Sequence, residues 1–96
     1  MGVLDFLRQR MRLVKKLANI NRIESVAVFA SVARGEERAD SDVDLLVRPN
    51  PEASLFDLAQ FAEDMEELLG HPVDVVSRRG LDSVRDRNIL SEALEL

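Results

Sequence analysis

The sequence predicts an α/β or α+β domain with a small mixed sheet and with helices packed on one face of that sheet. Three short apolar runs, at residues 26–29, 42–47 and 73–76, have the length and the β-branched composition of strands. Longer segments of helical periodicity lie before, between and after these runs. Ninety-six residues are enough for one small core, so we assign residues 1–96 to a single domain.

An amphipathic helix is predicted over residues 3–18, before the first strand. Its apolar positions recur at helical spacing: Leu4, Leu7, Met11, Val14 and Leu17. The first strand, residues 26–29, should then open into a short helical turn. Gly35 follows that turn and lets the chain change direction.

The second half of the chain carries clear start and stop signals. The second strand should end at Pro49, because proline cannot continue a ladder of hydrogen bonds. Ser54 with Asp57 three residues later is typical of a helix start, and Gly70 is typical of a helix end. We predict that this helix buries Leu55, Leu58, Phe61, Met65 and Leu68. A last helix is predicted over residues 81–94, with Val84, Leu90 and Leu94 facing inward.

The composition argues against several classes of function. Thirteen basic and 18 acidic residues give a net charge of −5, whereas a nucleic-acid groove needs clustered cations. The aromatic residues are four Phe, so base stacking has few candidates. The basic residues between positions 8 and 16 are interpreted as a solvated face. With no Cys and no 18-residue apolar run, we expect a soluble cytoplasmic protein without membrane spans.

Three isolated carboxylates stand within the second and third apolar runs. Strand side chains alternate, so Asp42 and Asp44 should project from one face while Val43 projects from the other. Asp74, inside the third run, can meet this pair from an adjacent strand. Such a cluster repels itself and raises the pKa of at least one carboxylate unless cations bind. The sequence therefore predicts a site for two Mg²⁺ ions that carry a nucleoside triphosphate.

A phosphate-binding turn is predicted just upstream of these carboxylates. Residues 29–35 read Phe-Ala-Ser-Val-Ala-Arg-Gly, so a buried strand ends in small residues and opens a short helix with free backbone N–H groups. Ser31 can serve either as the N-cap of this helix or as a phosphate ligand. Arg34, about one helical turn later, offers a planar fork of donors to a phosphate.

Each of these residues also has a purely structural interpretation. Asp42 and Asp44 can be solvated carboxylates where a loop enters a strand, and Asp74 can be a charge that protects an edge strand from aggregation. We prefer the metal site because the three aspartates occur together. Arg34 can instead pair on the surface with one of the acidic residues that follow it, Glu36, Glu37 or Asp40.

Taken together, the motifs resemble the DNA polymerase beta-type nucleotidyltransferase superfamily. The likeness is carried by residues 29–35, by Ser41-Asp42-Val43-Asp44-Leu45 and by Val73-Asp74-Val75-Val76, and it extends over nearly the whole chain. Within the superfamily, the chain is most similar to the minimal nucleotidyltransferases, also called MNT domains or MntA-type antitoxins. The resemblance implies a polymerase beta-like palm sheet and the transfer of AMP from ATP with two Mg²⁺ ions.

The resemblance also implies a role for each motif residue. Asp42 and Asp44 would hold the two Mg²⁺ ions, and Asp74 would share the second ion and act as general base toward the acceptor hydroxyl. Ser31 and the backbone amides that follow it would bind the β- and γ-phosphates of ATP. Arg34 would assist the departure of pyrophosphate.

One residue departs from the family pattern. The chain has Ala30 where the family usually has Gly before the serine of the turn. A glycine there lets the backbone come close to the triphosphate. The methyl group of Ala crowds the phosphates or requires a backbone conformation that Ala disfavours.

The acceptor implied by the resemblance is a tyrosine hydroxyl of a helical HEPN-type toxin. The chain contains no Tyr, so it cannot be its own tyrosine acceptor, and we expect a hetero-oligomer with the toxin. Two alternatives stay open. One is a non-catalytic antitoxin that neutralises its partner by contact alone. The other is a nucleotidyltransferase that acts on a small molecule or a nucleic acid together with a separately encoded domain.

Overall fold

The computed structural model describes residues 2–96, which form a mixed four-stranded sheet with helices. The helices are α1 (Val3–Gln9), α2 (Met11–Ile20), α3 (Ala30–Arg34), α4 (Leu55–Leu69) and α5 (Arg87–Glu92). The strands are β1 (Ile23–Val28), β2 (Val43–Pro49), β3 (Val73–Ser77) and β4 (Leu94–Glu95), and a 3-10 turn covers Arg78–Gly80. None of the helices in residues 2–96 is long and apolar enough to cross a membrane.

The strands are arranged in the order β3-β2-β1-β4. β1 is antiparallel to both β2 and β4, whereas β2 and β3 are parallel because α4 carries the chain back between them. The register places Val28 opposite Leu45 and Asp44 opposite Asp74. The predicted mixed sheet is therefore confirmed, and β3 lies at one of its edges.

The main core lies between one face of the sheet and the helices α1, α2 and α4. Alternate residues of β1 and β2 point into it, namely Val26, Val28, Val43, Leu45 and Val47. The helices contribute Leu7, Val14, Phe61 and Met65, all fully buried. Because side chains alternate along a strand, this packing leaves Asp44 of β2 on the opposite face, as predicted.

A smaller apolar cluster covers part of that opposite face. Ala27, Phe29 and Leu46 are buried there. They are covered by apolar residues of the C-terminal segment, including Leu81, Ile89, Leu90 and Ala93. The prediction of helices on one face therefore holds for the larger helices, while α5 packs on the other face because these three sheet residues need an apolar cover.

The helix predicted over residues 3–18 is instead two helices that meet at Arg10. Arg10 has φ −111° and ψ 27°, outside helical values, and its N–H donates to the Leu7 carbonyl in a tight turn. Its guanidinium stacks on the Phe6 ring, with 3.6 Å between Cζ and the ring centroid. Leu7 and Val14 are buried on either side of the break. The apolar spacing thus predicted buried positions but not the interruption.

The last predicted helix, over residues 81–94, is wrong in its extent. Only α5 is helical, and β4 follows it as a strand that pairs with β1. Val84 is 75% exposed and Leu94 is 38% exposed, so neither faces inward as predicted. The Asp82 carboxylate accepts hydrogen bonds from the backbone N–H groups of Val84 and the following residue. Such turn chemistry competes with helix formation at this point.

The helix α4 agrees with its prediction at both ends. Ser54 and Asp57 form a reciprocal capping box, in which the Asp57 N–H donates to Ser54 Oγ at 3.3 Å and the Ser54 N–H donates to Asp57 Oδ2 at 2.9 Å. Gly70, with φ 70°, ends the helix in the left-handed conformation. Leu55 is 83% exposed, which contradicts its predicted burial. It occupies the first position of the helix, where Phe56 is equally exposed.

Candidate active site

Two parallel strands bring the predicted carboxylates together. Asp44 of β2 lies opposite Asp74 of β3, and the two side chains share one face of the sheet. Asp42 stands two residues before Asp44, just before β2 begins, and is near enough for its charge to raise the pKa of Asp44. Asp42 and Asp74 are exposed and Asp44 is half-buried. We call these three residues, at the amino-terminal ends of β2 and β3, the acidic patch.

Within the acidic patch, the two neighbouring carboxylates oppose the ionisation of Asp44. Partial burial raises its pKa above the ordinary value of 3.8, and the nearby charges of Asp74 and then Asp42 raise the pKa further. The four ion pairs among residues 2–96 include none of the three carboxylates. The patch therefore concentrates negative charge in a way that attracts cations.

The donor set of the acidic patch fits Mg²⁺. This ion prefers oxygen ligands, and proteins usually bind it through one or two carboxylates together with water and substrate phosphates. Among residues 2–96, no group of three or more His, Cys, Asp or Glu side chains is already arranged as a metal site. The three aspartates thus fit by donor type and charge, and an ion that arrives with a nucleotide would complete its shell with phosphate oxygens and water.

The turn between β1 and α3 lies beside the acidic patch. The Phe29 N–H donates to the carbonyl oxygen of Asp44 at 3.1 Å and so ties the end of β1 to β2. Phe29 is also the N-cap of α3, and no side chain caps this helix. The interpretation of Ser31 as the N-cap is therefore wrong, because Ser31 lies inside the first turn. Its position leaves the Ser31 hydroxyl and the first-turn N–H groups as candidate phosphate ligands next to the carboxylates.

The residues at the two ends of α3 have positive φ angles. Gly35 has φ 70° and ends α3, as predicted. Ala30 has φ 56°, in the left-handed region that residues with a Cβ disfavour. Ala30 is the position at which the resemblance leads us to expect Gly. Of the two effects expected of Ala30, the structure shows the disfavoured backbone conformation.

Arg34, the last residue of α3, is held by two carboxylates. Its Nε donates to Glu36 Oε2 and its Nη1 donates to Glu92 Oε2, both at 3.1 Å. The hydrogen bond to Glu36 is the main cause that raises the pKa of Arg34 further above its ordinary value, and the charge of Glu92 adds to it. The sequence suggested Glu36 as a partner. It gave no signal for Glu92, which is 58 positions away along the chain.

The arrangement suits the transfer of a nucleotidyl group. Carboxylates that attract a divalent cation lie beside a strand-to-helix turn whose N–H groups can bind phosphate, and a nucleoside triphosphate needs both. Residues 10–96 match the model of the nucleotidyltransferase domain, and the chain belongs to this family.

Relatives of known name place the chain more narrowly within the family. The protein adenylyltransferase MntA of Thermococcus cleftensis is 36% identical over 80 residues, which cover 83% of this chain and 81% of that protein. A Methanocaldococcus jannaschii protein inferred to be a protein adenylyltransferase is 34% identical over 74 residues, which cover 77% of this chain and 80% of that protein. The predicted likeness to MntA-type minimal nucleotidyltransferases is thereby confirmed.

Solved structures share the fold. A protein inferred to be a minimal nucleotidyltransferase superposes with a TM-score of 0.85 at 44% identity, over 100% of this chain and 97% of that chain. A toxin–antitoxin complex with AMP-PNP gives a TM-score of 0.71 at 20% identity, over 85% of this chain and 68% of that chain. A tri-AMPylated Shewanella oneidensis HEPN toxin in complex with its MNT antitoxin gives 0.65 at 17% identity, over 92% and 69%. The last two likenesses establish the fold alone.

Proposed function

We propose that this chain transfers AMP from ATP to a tyrosine hydroxyl of a HEPN-type toxin and thereby acts as its antitoxin. The observation that carries the proposal is the acidic patch, in which Asp44 and Asp74 lie opposite each other on parallel strands next to the β1–α3 turn. The related MntA of Thermococcus cleftensis is named a protein adenylyltransferase. The structural relative from Shewanella oneidensis is an MNT antitoxin in complex with a tri-AMPylated HEPN toxin. Both support this choice of donor and acceptor.

ATP would bind between the acidic patch and the first turn of α3. The Ser31 hydroxyl and the neighbouring backbone N–H groups would donate to the β- and γ-phosphates. Asp42 and Asp44 would hold two Mg²⁺ ions, with Asp74 sharing the second. When bound, these ions would neutralise the phosphate charge and lower the pKa of the acceptor hydroxyl. Ligand binding would also relieve the repulsion that raises the Asp44 pKa.

In the transfer step, the tyrosine oxygen of the toxin forms a bond to the α-phosphorus of ATP. The bond from that phosphorus to the bridging oxygen breaks, and pyrophosphate leaves. The Asp74 carboxylate accepts the proton of the tyrosine hydroxyl, for which its exposed position on the edge strand β3 is suited. Arg34 would stabilise the departing pyrophosphate if it exchanged one carboxylate partner, Glu36 or Glu92, for a phosphate.

One observation favours a second candidate function. Ala30 has φ 56° at the point where the backbone would approach the phosphates, so its methyl group disfavours close binding of a triphosphate. A chain hindered in this way would act as an antitoxin by contact alone. The two functions differ in whether ATP is bound and consumed.

The first test is the binding of ATP. Because a ligand that binds only the native state stabilises it by mass action, Mg²⁺ with ATP should raise the melting temperature of the wild-type protein. The variant Asp42→Asn/Asp44→Asn should lose this rise, and Asp40→Asn, an exposed loop carboxylate two residues before the patch, should keep it. Without ligand, the double variant should be no less stable than the wild type. Marked destabilisation of that variant would make the carboxylates structural.

The second test separates the two candidate functions. The purified toxin is incubated with the wild-type chain, Mg²⁺ and ATP, and its mass is measured. The proposed enzyme adds AMP to the toxin, and the double aspartate variant does not. A toxin that is inhibited while its mass is unchanged would replace the enzyme with the contact-only antitoxin.

A further inference from the structure

A groove of about 560 Å³ lies between α2 and β1. Buried residues of the main core form its floor, among them Val14, Ala18 and Val26. These side chains lie on the face of the sheet opposite the acidic patch. The rim is polar and exposed, and it includes Lys15, Asn19, Arg22 and Glu24. A depression of this size lies in the range of ligand sites rather than of packing defects.

The groove runs along a strand edge that has no partner within residues 2–96. β4 pairs with β1 only at Ala27 and Val28, and the contact ends where the Leu96 N–H donates to the Val26 carbonyl at 3.0 Å. Among residues 2–96, no strand pairs with this side of β1 before Val26. A bulge between Ile23 and Ser25 interrupts the regular ladder there. An added segment would thus pair with the backbone near Ser25 and would make most of its contacts inside the groove.

The helices beside the groove carry a basic surface, although the chain as a whole is acidic and Glu24 is part of the groove lining. Six of the 13 Lys and Arg residues lie between positions 8 and 22, and no Asp or Glu occurs between positions 6 and 23. All six are exposed, and none joins the four ion pairs among residues 2–96. They are Arg8, Arg10, Arg12, Lys15, Lys16 and Arg22. Such a surface is complementary to an acidic partner and accelerates its association.

From the groove, the open strand edge and the basic rim, we infer that this surface binds an extended acidic segment of a partner protein. Apolar side chains of the segment would contact the half-buried Met11 and Leu96, and its carboxylates would pair with Lys15 and Arg22. The inference rests on the proposed function for the partner, the HEPN-type toxin, and adds the surface that holds it. Because the groove faces away from the acidic patch, a bound segment leaves the patch free for the acceptor tyrosine.

A protein segment fits this surface better than a nucleic acid does. Single-stranded nucleic acids bind through aromatic rings on which bases stack, and the groove lining contains no aromatic residue. Phe6, on α1, has its ring covered by the Arg10 guanidinium. The floor of the groove is aliphatic, which suits apolar side chains.

The test measures the affinity of the purified toxin for variants of this chain by titration calorimetry. The groove variant Lys15→Glu/Arg22→Asn reverses the charge at Lys15 and removes the charge of Arg22. Asn is chosen because Arg22 has φ 60°, which Asn tolerates. The control Arg38→Glu/Arg87→Gln makes the same change in net charge at exposed positions outside the groove. We expect the groove variant to bind the toxin at least about tenfold more weakly and the control to remain within about twofold of the wild type.

Two further measurements guard against a misfolded variant and a wrong ligand class. Asn19→Trp fills the groove without changing its charge and should also weaken the complex. In the wild-type complex, amide exchange at Ser25 and Val26 should slow.

Unchanged affinity in both groove variants overturns the inference and leaves the proposed function in place. A toxin that does not bind the wild type overturns both. A uridine oligonucleotide that competes with the toxin for the wild type, and that the groove variant fails to bind, replaces the protein segment with nucleic acid.

Discussion

At Asp44, partial burial and like charge act in the same direction. The residue lies opposite Asp74 and two positions after Asp42, and no ion pair among residues 2–96 compensates it. Its ionisation therefore reduces the stability of the ligand-free protein. A bound cation would reverse this effect because it favours the ionised form. One side chain thus lowers stability when the site is empty and increases affinity when a cation binds.

Asp44→Asn should stabilise the ligand-free protein at neutral pH. A carboxyl group whose pKa is raised on folding contributes its full stability below the ordinary value of 3.8 and loses it as the pH rises through the raised value. The wild type should therefore become less stable than the variant as the pH rises from about 4 to 7. The difference should stay below about 1 kcal/mol, since solvent screens a half-buried carboxylate.

Thermal unfolding of both proteins over that pH range, with EDTA present, measures this difference. Asp40→Asn removes a carboxylate from the exposed loop and should not reproduce the effect. An Asp44→Asn variant that is less stable than the wild type at pH 7 would show that the carboxylate has a structural partner.

Ala30→Gly should tighten ATP binding with little change in stability. At φ 56°, Ala is disfavoured by roughly 1 kcal/mol, and relief of this strain is partly offset by the greater freedom of Gly in the unfolded chain. Ala33→Gly, in the same short helix, gains no such relief and should cost about 1 kcal/mol. Urea unfolding and ATP titration of the two variants check this comparison. Equal destabilisation by both would contradict our account of Ala30.

The sequence predicts the helices and strands whose start, stop or alternation pattern lies within the element itself. The helix α4 carries its own start and stop, with Ser54 and Gly70, and both were located correctly. Alternation of strand side chains predicts the face of Asp44, which β2 confirms. By contrast, β4 exists because it pairs with β1, some 67 positions earlier, and its sequence has no strand pattern of its own. The pairing of Arg34 with Glu92 escaped prediction for the same reason.

Ser54→Ala should destabilise the protein by about 1 kcal/mol. The Ser54 hydroxyl accepts the N–H of Asp57, and without it this first-turn donor keeps only its bond to the Ser54 carbonyl oxygen at 3.1 Å. Ser83→Ala, in the exposed turn before α5, makes the same chemical change away from any helix cap and should stay within about 0.5 kcal/mol. Chemical denaturation of the two variants provides the measurement. A loss of stability no greater for Ser54→Ala than for Ser83→Ala would show that the capping box contributes little.

In the whole molecule, the sheet separates the acidic patch from the groove and from the basic residues of the neighbouring helices. The acidic patch occupies one face near the end of β1, and the groove between α2 and β1 occupies the other face beside the start of β1. Ser31 and Arg34 lie on α3, the short helix that follows β1. A partner held at the groove can therefore present an acceptor to the patch without competing with ATP for the same residues. The division of charge suits a small enzyme that modifies the protein it binds.

The decisive measurement for the proposed enzyme is the transfer of AMP from ATP to the purified toxin. It is compared among Asp74→Asn, Asp40→Asn and the wild type. Asp74 is assigned to the proton transfer, so its loss should leave ATP binding largely intact and slow the transfer by about 10²- to 10⁴-fold. The wild type and Asp40→Asn should transfer AMP at similar rates, measured by the mass of the toxin over time. Undiminished transfer by Asp74→Asn would remove Asp74 from the mechanism. No transfer by a wild type that binds Mg²⁺ and ATP would rule out the proposed enzyme.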